Sequence, residues 1–129
     1  MSKYEQYVEK RNLVSSTTLA DQEGRVVTYA GALTTQKGDI AAGVVETGNG
    51  ASEASVIYSR GHCEAYCDGA VSAIAVGDPL TPDGTGSPSG TAANDGVFVK
   101  GTVGTHHIRA IALEALIAAN TKIKIDLIG

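Results

Sequence analysis

IAAGVVETGNGASEASVIY, residues 40–58, decides the fold of this chain. Two runs of small and β-branched residues, 40–46 and 53–58, flank the tripeptide Gly48-Asn49-Gly50. Glycine and asparagine tolerate the positive φ angles of tight turns, and such a tripeptide between β-like runs is typical of a hairpin. We therefore predict that a strand at 53–58 pairs with a strand at 40–46.

Short β-branched segments separated by glycine turns continue on both sides of this hairpin. The clearest is 121–128, where Ile123, Ile125 and Leu127 alternate with polar residues, as in a strand with one buried face. Residues 110–119 fit either a helix or a strand buried on both faces, and we predict a strand through Leu113 followed by a helical turn or loop. Other predicted strands lie at 25–29, 63–67, 71–76 and 97–100, with a short one near Leu80 in the proline- and glycine-rich loop 78–96.

The composition fits one small β domain. Apolar residues make up 43% of the 129 residues, but they are mostly Ala, Val and Ile, with one Phe and no Trp. The 16 glycines exceed the average share and suit a chain with many turns. We predict a mainly β domain at residues 25–129, a small antiparallel β-barrel with little helix.

Residues 1–24 differ from the rest and are predicted to form an extended N-terminal arm. The segment is polar and of mixed charge, and Tyr4, Tyr7, Val8 and Arg11 share helical spacing, although so short an isolated helix is marginal in water. The segment is either a frayed terminus or an arm that orders on a partner, with the tyrosines as anchors. On the second interpretation, the partner-binding candidates are Tyr4, Tyr7, Val8, Leu13 and Val14.

Charge and hydropathy argue against several classes of protein. The formal net charge is −4, and residues 1–25 are balanced with four basic and four acidic side chains, so the acidic excess lies in the body. An acidic body argues against direct binding of nucleic acid, which needs a clustered basic face. The sequence shows neither an apolar secretory signal nor the roughly 18 consecutive apolar residues of a membrane span. We expect that the protein is made in the cytoplasm and that it does not associate with a membrane.

The motif His62-Cys-Glu-Ala-Tyr-Cys67 is the most conspicuous candidate for chemistry. It offers at most three of the four ligands of a zinc site, and His106 and His107 would complete the set only if they lay nearby. On a strand, Cys63 and Cys67 face the same way about 13 Å apart, too far for a disulfide. We predict core thiols, with a metal site and a disulfide as alternatives, and name no catalytic, cofactor-binding or metal-binding residue.

Other motifs of the sequence point to turns rather than to catalysis. Neither the phosphate-binding loop G-x-x-x-x-G-K-[ST] nor the nucleophile elbow G-x-S-x-G occurs. The aspartates Asp78, Asp83 and Asp95 could hold calcium in the loop 78–96, but ordinary Asp-Gly turns are the preferred interpretation.

Several segments of the body share their order and spacing with a known family. They are Lys37-Gly-Asp-Ile-Ala-Ala-Gly43, Ala70-Val-Ser-Ala-Ile-Ala-Val-Gly-Asp-Pro-Leu80, Pro82-Asp-Gly-Thr-Gly86, Ile111-Ala-Leu-Glu-Ala115 and Ile123-Lys-Ile-Asp-Leu127. With them, residues 30–129 resemble the capsid cement, or head decoration, proteins of tailed bacteriophages. Neither the cysteine motif nor the N-terminal arm belongs to the resemblance.

The resemblance implies a β-tulip-like subunit, usually a homotrimer, on the outer capsid surface of the virion. Such a protein would be made in the cytoplasm of the bacterial host and would bind the major capsid protein of the phage. It would stabilise the capsid lattice without enzymatic activity and without a cofactor. The arm could then add a strand to the edge of a partner's sheet.

Two other classes of protein stay open from the sequence. A carrier or ligand-binding β-barrel is the first, because paired Gly-Asp turns, here Gly38-Asp39 and Gly77-Asp78, also occur in biotinyl and lipoyl domains. No predicted hairpin tip carries a lysine in the setting that those domains modify. A zinc-dependent enzyme is the second, with its ligands drawn from His62, Cys63 and Cys67 and from the pair His106 and His107.

Overall fold

The computed structural model describes residues 8–86 and 90–129, and each regular element in this part of the chain is a β-strand. The prediction of a mainly β fold built on a small barrel is confirmed. The strands are β1 Val8–Val14, β2 Val26–Thr28, β3 Ala41–Thr47, β4 Ala54–Cys67, β5 Pro79–Asp83, β6 Val97–Lys100, β7 Ala110–Ala112 and β8 Thr121–Leu127.

Five of these strands close into a barrel. β4 pairs with β8, β8 with β7, β7 with β5, β5 with β6, and β6 returns to β4. These pairings are antiparallel except the last, where Cys67 lies opposite Phe98 in a parallel bridge. The longest ladder of the ring joins β4 to β8, from Gly61↔Leu127 to Cys67↔Thr121. Closure of this kind satisfies the strand edges within the ring.

The long strand β4 belongs to the barrel and to a second layer of sheet. It has 14 residues, of which 54–61 pair with β1 and 61–67 pair with β8. Because β1 and β3 both pair with residues 56–58, they lie on opposite edges of β4, and β2 extends the layer beyond β3. Gly61, at the junction, has a φ of 97°, which residues with a side chain rarely adopt. A glycine is therefore needed where β4 leaves one layer for the other.

Aliphatic side chains form most of the core. The barrel is filled around the single phenylalanine, Phe98, with Leu80 and Ile125, and all three are fully buried. β3 is buried on both faces, since Val44 packs into the barrel cluster and Val45 into a second cluster behind the sheet. The second cluster consists of Leu19, Val27, Ala42, Val45 and Ile57, with Leu13 and Leu33 packed against it.

The predicted hairpin is confirmed, but its turn is built differently. β3 and β4 pair in antiparallel register, with Val45 opposite Ile57. The positive φ in the connection belongs to Ser52, at 67°, and not to the glycines of the tripeptide. Gly48 is required for another reason, because a Cβ there would lie 1.7 Å from the carbonyl oxygen of Leu19. The tripeptide therefore lies in the connection, as predicted, but its first glycine is needed for close packing against Leu19 and not for a positive φ.

Most of the other predicted strands are present, and one is not. β2, β6 and β8 match their predicted positions, the 63–67 strand is the end of β4, and the strand near Leu80 is β5. The predicted strand at 71–76 is wrong, since that segment is a turn with one isolated bridge, Ile74 to Leu116. The Asp68 carboxylate accepts a hydrogen bond from the Ala70 amide at 2.9 Å and turns the chain. With Ile74 as its one buried residue, the segment has no sheet face to bury.

The described part of the N-terminal arm, residues 8–24, packs on the body. The helical spacing considered for Val8 and Arg11 is wrong, because both residues lie in β1 and pair with β4. The edge of β4 supplies a hydrogen-bond ladder that a short isolated helix lacks. Further along, Leu19 is 1% exposed and its amide donates to the Asn49 carbonyl at 2.9 Å. Residues 1–7, with the candidates Tyr4 and Tyr7, lie outside the described residues.

Candidate partner-binding surfaces

β1 brings three of the sequence-predicted binding residues onto one edge of the sheet. Val8 is half-buried, Leu13 packs against the second core cluster, and Val14 is exposed, at 63%. Lys10 is fixed by an ion pair of 2.7 Å with Glu46 and lies over the ring of Tyr58. Leu13 therefore packs within the protein itself. Of the described candidates, Val14 is the most accessible to a partner.

Arg109 organises the point where β3 and β8 leave β4. Its side chain is 6% exposed and donates to four main-chain carbonyls. Nε reaches Ala41 at 3.1 Å, and Nη2 reaches Ala42 at 3.1 Å and Ser59 at 2.6 Å, while Nη1 donates to Ile128. Burial lowers the pKa of Arg109 from its ordinary value. One guanidinium thus ties β3, β4 and the end of β8 together.

A surface cleft of about 470 Å³ opens above this guanidinium, and we call it the arginine cleft. Its basic lining comes from Arg11, Arg60 and Arg109, with His107 at the side and Glu9 as the acidic side chain. Arg11 lies 5.9 Å from the ring centre of Tyr29, a cation–π contact that holds its charge at the cleft. The remaining lining residues are Tyr29, Ile40, Ala41, Ser59, Ile108, Ile128 and Gly129.

A second surface, which we call the apolar loop pair, consists of residues 70–77 and 113–119. The two loops exchange hydrogen bonds between Ile74 and Leu116, 2.9 Å in each direction. While these two side chains turn inward to the core, their neighbours turn outward, with Ile117 at 81% and Val76 at 67% exposed. Val71 and Leu113 are the other large exposed aliphatic side chains of the pair.

The cysteine motif is part of the barrel wall. Cys67 is buried, Cys63 is half-buried beside the core, and both thiols are free, as the core-thiol interpretation predicted. Burial raises the pKa of Cys63 to about 12, and burial also raises that of Cys67. Thiols held in this state are weak nucleophiles and weak metal ligands at neutral pH. Nε2 of His62 lies 3.7 Å from a carboxylate oxygen of Asp126.

The aspartates of the 78–96 loop act as hydrogen-bond acceptors within it. Asp83 is fully buried and accepts from the amides of Gly84, at 2.7 Å, and Thr91, at 3.1 Å. Asp95 accepts from the amide and the hydroxyl of Thr85, at 2.7 and 2.6 Å. This agrees with the turn interpretation. No group of three or more His, Cys, Asp or Glu side chains in the described part of the chain is arranged to hold a metal ion.

Sequence reasoning missed the residues that shape both surfaces. Arg109 interrupts the apolar run Ile108 to Leu113, and a lone arginine in such a run is a signal of a buried, hydrogen-bonded charge that could have been used. Ile117 and Val76 gave no such signal, since exposed and buried aliphatic residues look alike without the fold. Among residues 8–86 and 90–129, no helix is long and apolar enough to cross a membrane.

The comparisons with known proteins add no relative. Neither the family models nor the curated proteins searched give a match to this chain. The two surfaces and the segments that resemble the cement proteins are therefore the features that bear on function.

Proposed function

We propose that this protein is a capsid cement protein, which binds the outer surface of a phage head and stabilises the lattice of the major capsid protein. The main support for this proposal is the exposure of aliphatic side chains on the apolar loop pair. Exposed apolar patches on a small protein mark interaction sites, and the hydrogen bonds between Ile74 and Leu116 hold the loops that carry Val76 and Ile117 side by side. Ile117 and Val76 gain the most from being covered, because they are the most exposed aliphatic residues of the pair.

The location of the resemblance supports the same surface. The segments 70–80 and 111–115, which resemble the cement proteins, include most of the apolar loop pair. Val71, Val76 and Leu113 lie within these segments, and Ile117 lies two residues beyond the second of them. A homotrimer on the capsid is the assembly that the resemblance implies, and closed rings of subunits are a common way to cover such patches.

A carrier barrel receives less support from the geometry. Its ligand would need space within the ring, but Leu80, Phe98, Ile125 and their neighbours fill the interior. Five strands enclose less space than the eight-stranded barrels that hold one small ligand. The protein offers its outer surfaces, not its interior, for binding.

A double variant tests the proposal. Val76→Lys with Ile117→Lys places two charges on the apolar loop pair, and Val103→Lys is the matched control, because Val103 is an exposed valine in another loop. We expect the double variant to lose co-sedimentation with expanded capsids by about tenfold or more, while the control binds like the parent. Circular dichroism would check that all three proteins keep their fold.

Capsid stability gives a second measurement. A protein that binds the assembled shell and not its free subunits raises the temperature at which the shell breaks, through mass action. We expect a shift that grows with added protein and is absent with the double variant. Parent-like binding by the double variant, or an unchanged breaking temperature, would contradict the proposal.

A further inference from the structure

The arginine cleft concentrates positive charge on an acidic protein. The chain has a net charge of −4, yet three guanidinium groups and the side chain of Glu9 line this one opening. Arg11 and Arg60 are both exposed, and they lie on the adjacent strands β1 and β4. Such a local reversal of sign attracts an anionic group to this place and disfavours it elsewhere on the surface.

Arg109 strengthens the positive field from below. Its hydrogen bonds go to neutral carbonyl oxygens, which orient the guanidinium without cancelling its charge. A charge held in a buried, less polarisable environment acts more strongly on nearby groups than the same charge in water. The lowered pKa of Arg109, caused by burial, has the same origin.

The cleft also has apolar walls and a strand beside it. Tyr29, Ile40 and Ile128 are large, exposed apolar side chains of its lining. A small inorganic anion would leave them in water, whereas a peptide with apolar residues next to its carboxylates would cover them. β1 pairs with β4 on one edge, and no other described strand pairs with it, so an extended chain has main-chain groups to meet there.

We propose that the arginine cleft binds an extended, acidic segment of a partner protein. One carboxylate of that segment meets Arg11 and Arg60, and its apolar neighbours pack on Tyr29, Ile40 and Ile128. This inference does not depend on the capsid, because it concerns the chemistry of the segment and not the protein that supplies it.

A second copy of this chain fits the cleft less well. If β1 paired with its own copy in antiparallel fashion, centring the pair on Arg11 would place the two Arg11 side chains opposite each other, which destabilises a ladder. Nucleic acid also carries anionic groups, but its backbone would face the acidic remainder of the surface. An acidic polypeptide presents few charges and can place one of them at the arginine cleft.

NMR titration of the full chain tests the inference. The probe is a blocked seven-residue peptide of alternating Val and Glu, and the comparison probes are a Val and Lys peptide, inorganic phosphate and a thymidine oligonucleotide. We expect the acidic peptide alone to shift the side-chain signals of Arg11 and Arg60 and the amides of β1. The double variant Arg11→Glu with Arg60→Glu should weaken this binding about tenfold.

Lys124→Glu is the control, since Lys124 is exposed and lies outside the cleft. An equal loss of binding in this control would show a general charge effect and overturn the inference. Equal shifts with phosphate or the oligonucleotide, or with the basic peptide, would overturn it as well. Shifts that follow protein concentration alone would assign β1 to self-association. Because no capsid is present, failure here leaves the proposed function separately testable.

Discussion

Arg109 shows how much of this fold depends on one side chain. The guanidinium satisfies carbonyls of Ala41, Ala42 and Ser59 and of Ile128, which come from three strands. Buried carbonyls without a donor each cost about 1–3 kcal/mol. The residue therefore acts as a hydrogen-bonded junction between β3, β4 and the residue that follows β8.

We expect Arg109→Met to lower the free energy of unfolding by about 3 kcal/mol or more, because methionine keeps much of the apolar stem and removes every donor. Urea denaturation measures the change. Arg60→Met is the control, since Arg60 is exposed and should move the value by no more than about 0.5 kcal/mol. Similar values for the two variants would show that the four hydrogen bonds contribute little.

The buried thiol of Cys63 predicts a loss of stability at alkaline pH. Its pKa rises from 9.0 to about 12 through burial, so above pH 9 the unfolded chain releases a proton that the folded chain retains. The free energy of unfolding should then fall by about 1.4 kcal/mol per pH unit from this thiol, between pH 9 and 12. Denaturation of the parent and of Cys63→Ala over that range compares the slopes. Equal slopes would show that the thiol titrates normally.

At the residue scale, the sequence predicted which side chains of a strand are buried better than it predicted which groups a side chain contacts. The alternation in 121–128 identified Ile123, Ile125 and Leu127 as buried, because period-2 patterning follows directly from strand geometry. The partners of Arg109 could not be predicted, because the carbonyl groups that it bonds are about 20 to 70 residues away in the chain. Contacts of that range depend on topology, which no local pattern encodes.

At the scale of elements, β1 shows that the described part of the N-terminal arm is integrated into the sheet. A segment that looked polar and separate pairs with β4 along its whole length, and the chain after it sends Leu19 into the second core cluster. Truncating residues 1–20 would thus remove core contacts together with any partner contact. Single substitutions distinguish the two roles more clearly than truncation does.

Leu19→Ala should destabilise the protein by about 2–4 kcal/mol, because it leaves a cavity at a residue that is 1% exposed. Val14→Ala, at the exposed end of β1, should change the free energy of unfolding by less than about 0.5 kcal/mol. Thermal or urea unfolding of both variants provides the comparison. A stable Leu19→Ala protein would mean that residues 15–24 fold apart from the body.

The sequence predicted a strand correctly where its residue pattern and its pairing partner were both local, as in a hairpin. The 40–58 hairpin was correct because its strands are apolar and its turn is rich in glycine. The 71–76 strand was wrong because the Val-Ser-Ala-Ile-Ala-Val pattern describes a strand locally, while the barrel provides no neighbour for it. The two surfaces could not be predicted at all, since each combines segments far apart in the sequence.

At the scale of the whole molecule, β4 is the element on which both layers depend. It is bonded on both sides over residues 56–58, by β1 and β3, and it closes the barrel through β8. β1, in contrast, depends on β4 alone among the described strands. The structure is thus one connected sheet in which β4 lies at the centre and β1 lies at an edge.

Hydrogen exchange should show this order directly. We expect the amides of 56–67 to exchange slowest and those of β1 to exchange through a separate opening of lower free energy. Mass spectrometry of peptic fragments, or NMR, measures both. Equal protection of β1 and β4 would show that the two layers open as a single unit.

The antiparallel pairing of β1 with β4 also has a mechanical consequence. A pull on the chain ahead of Val8, directed along β1, is opposed by all rungs from Val8↔Gly61 to Val14↔Ala54 together, in shear. Peeling would instead break them one after another. Tension applied at that end passes lengthwise through β4 into the barrel wall.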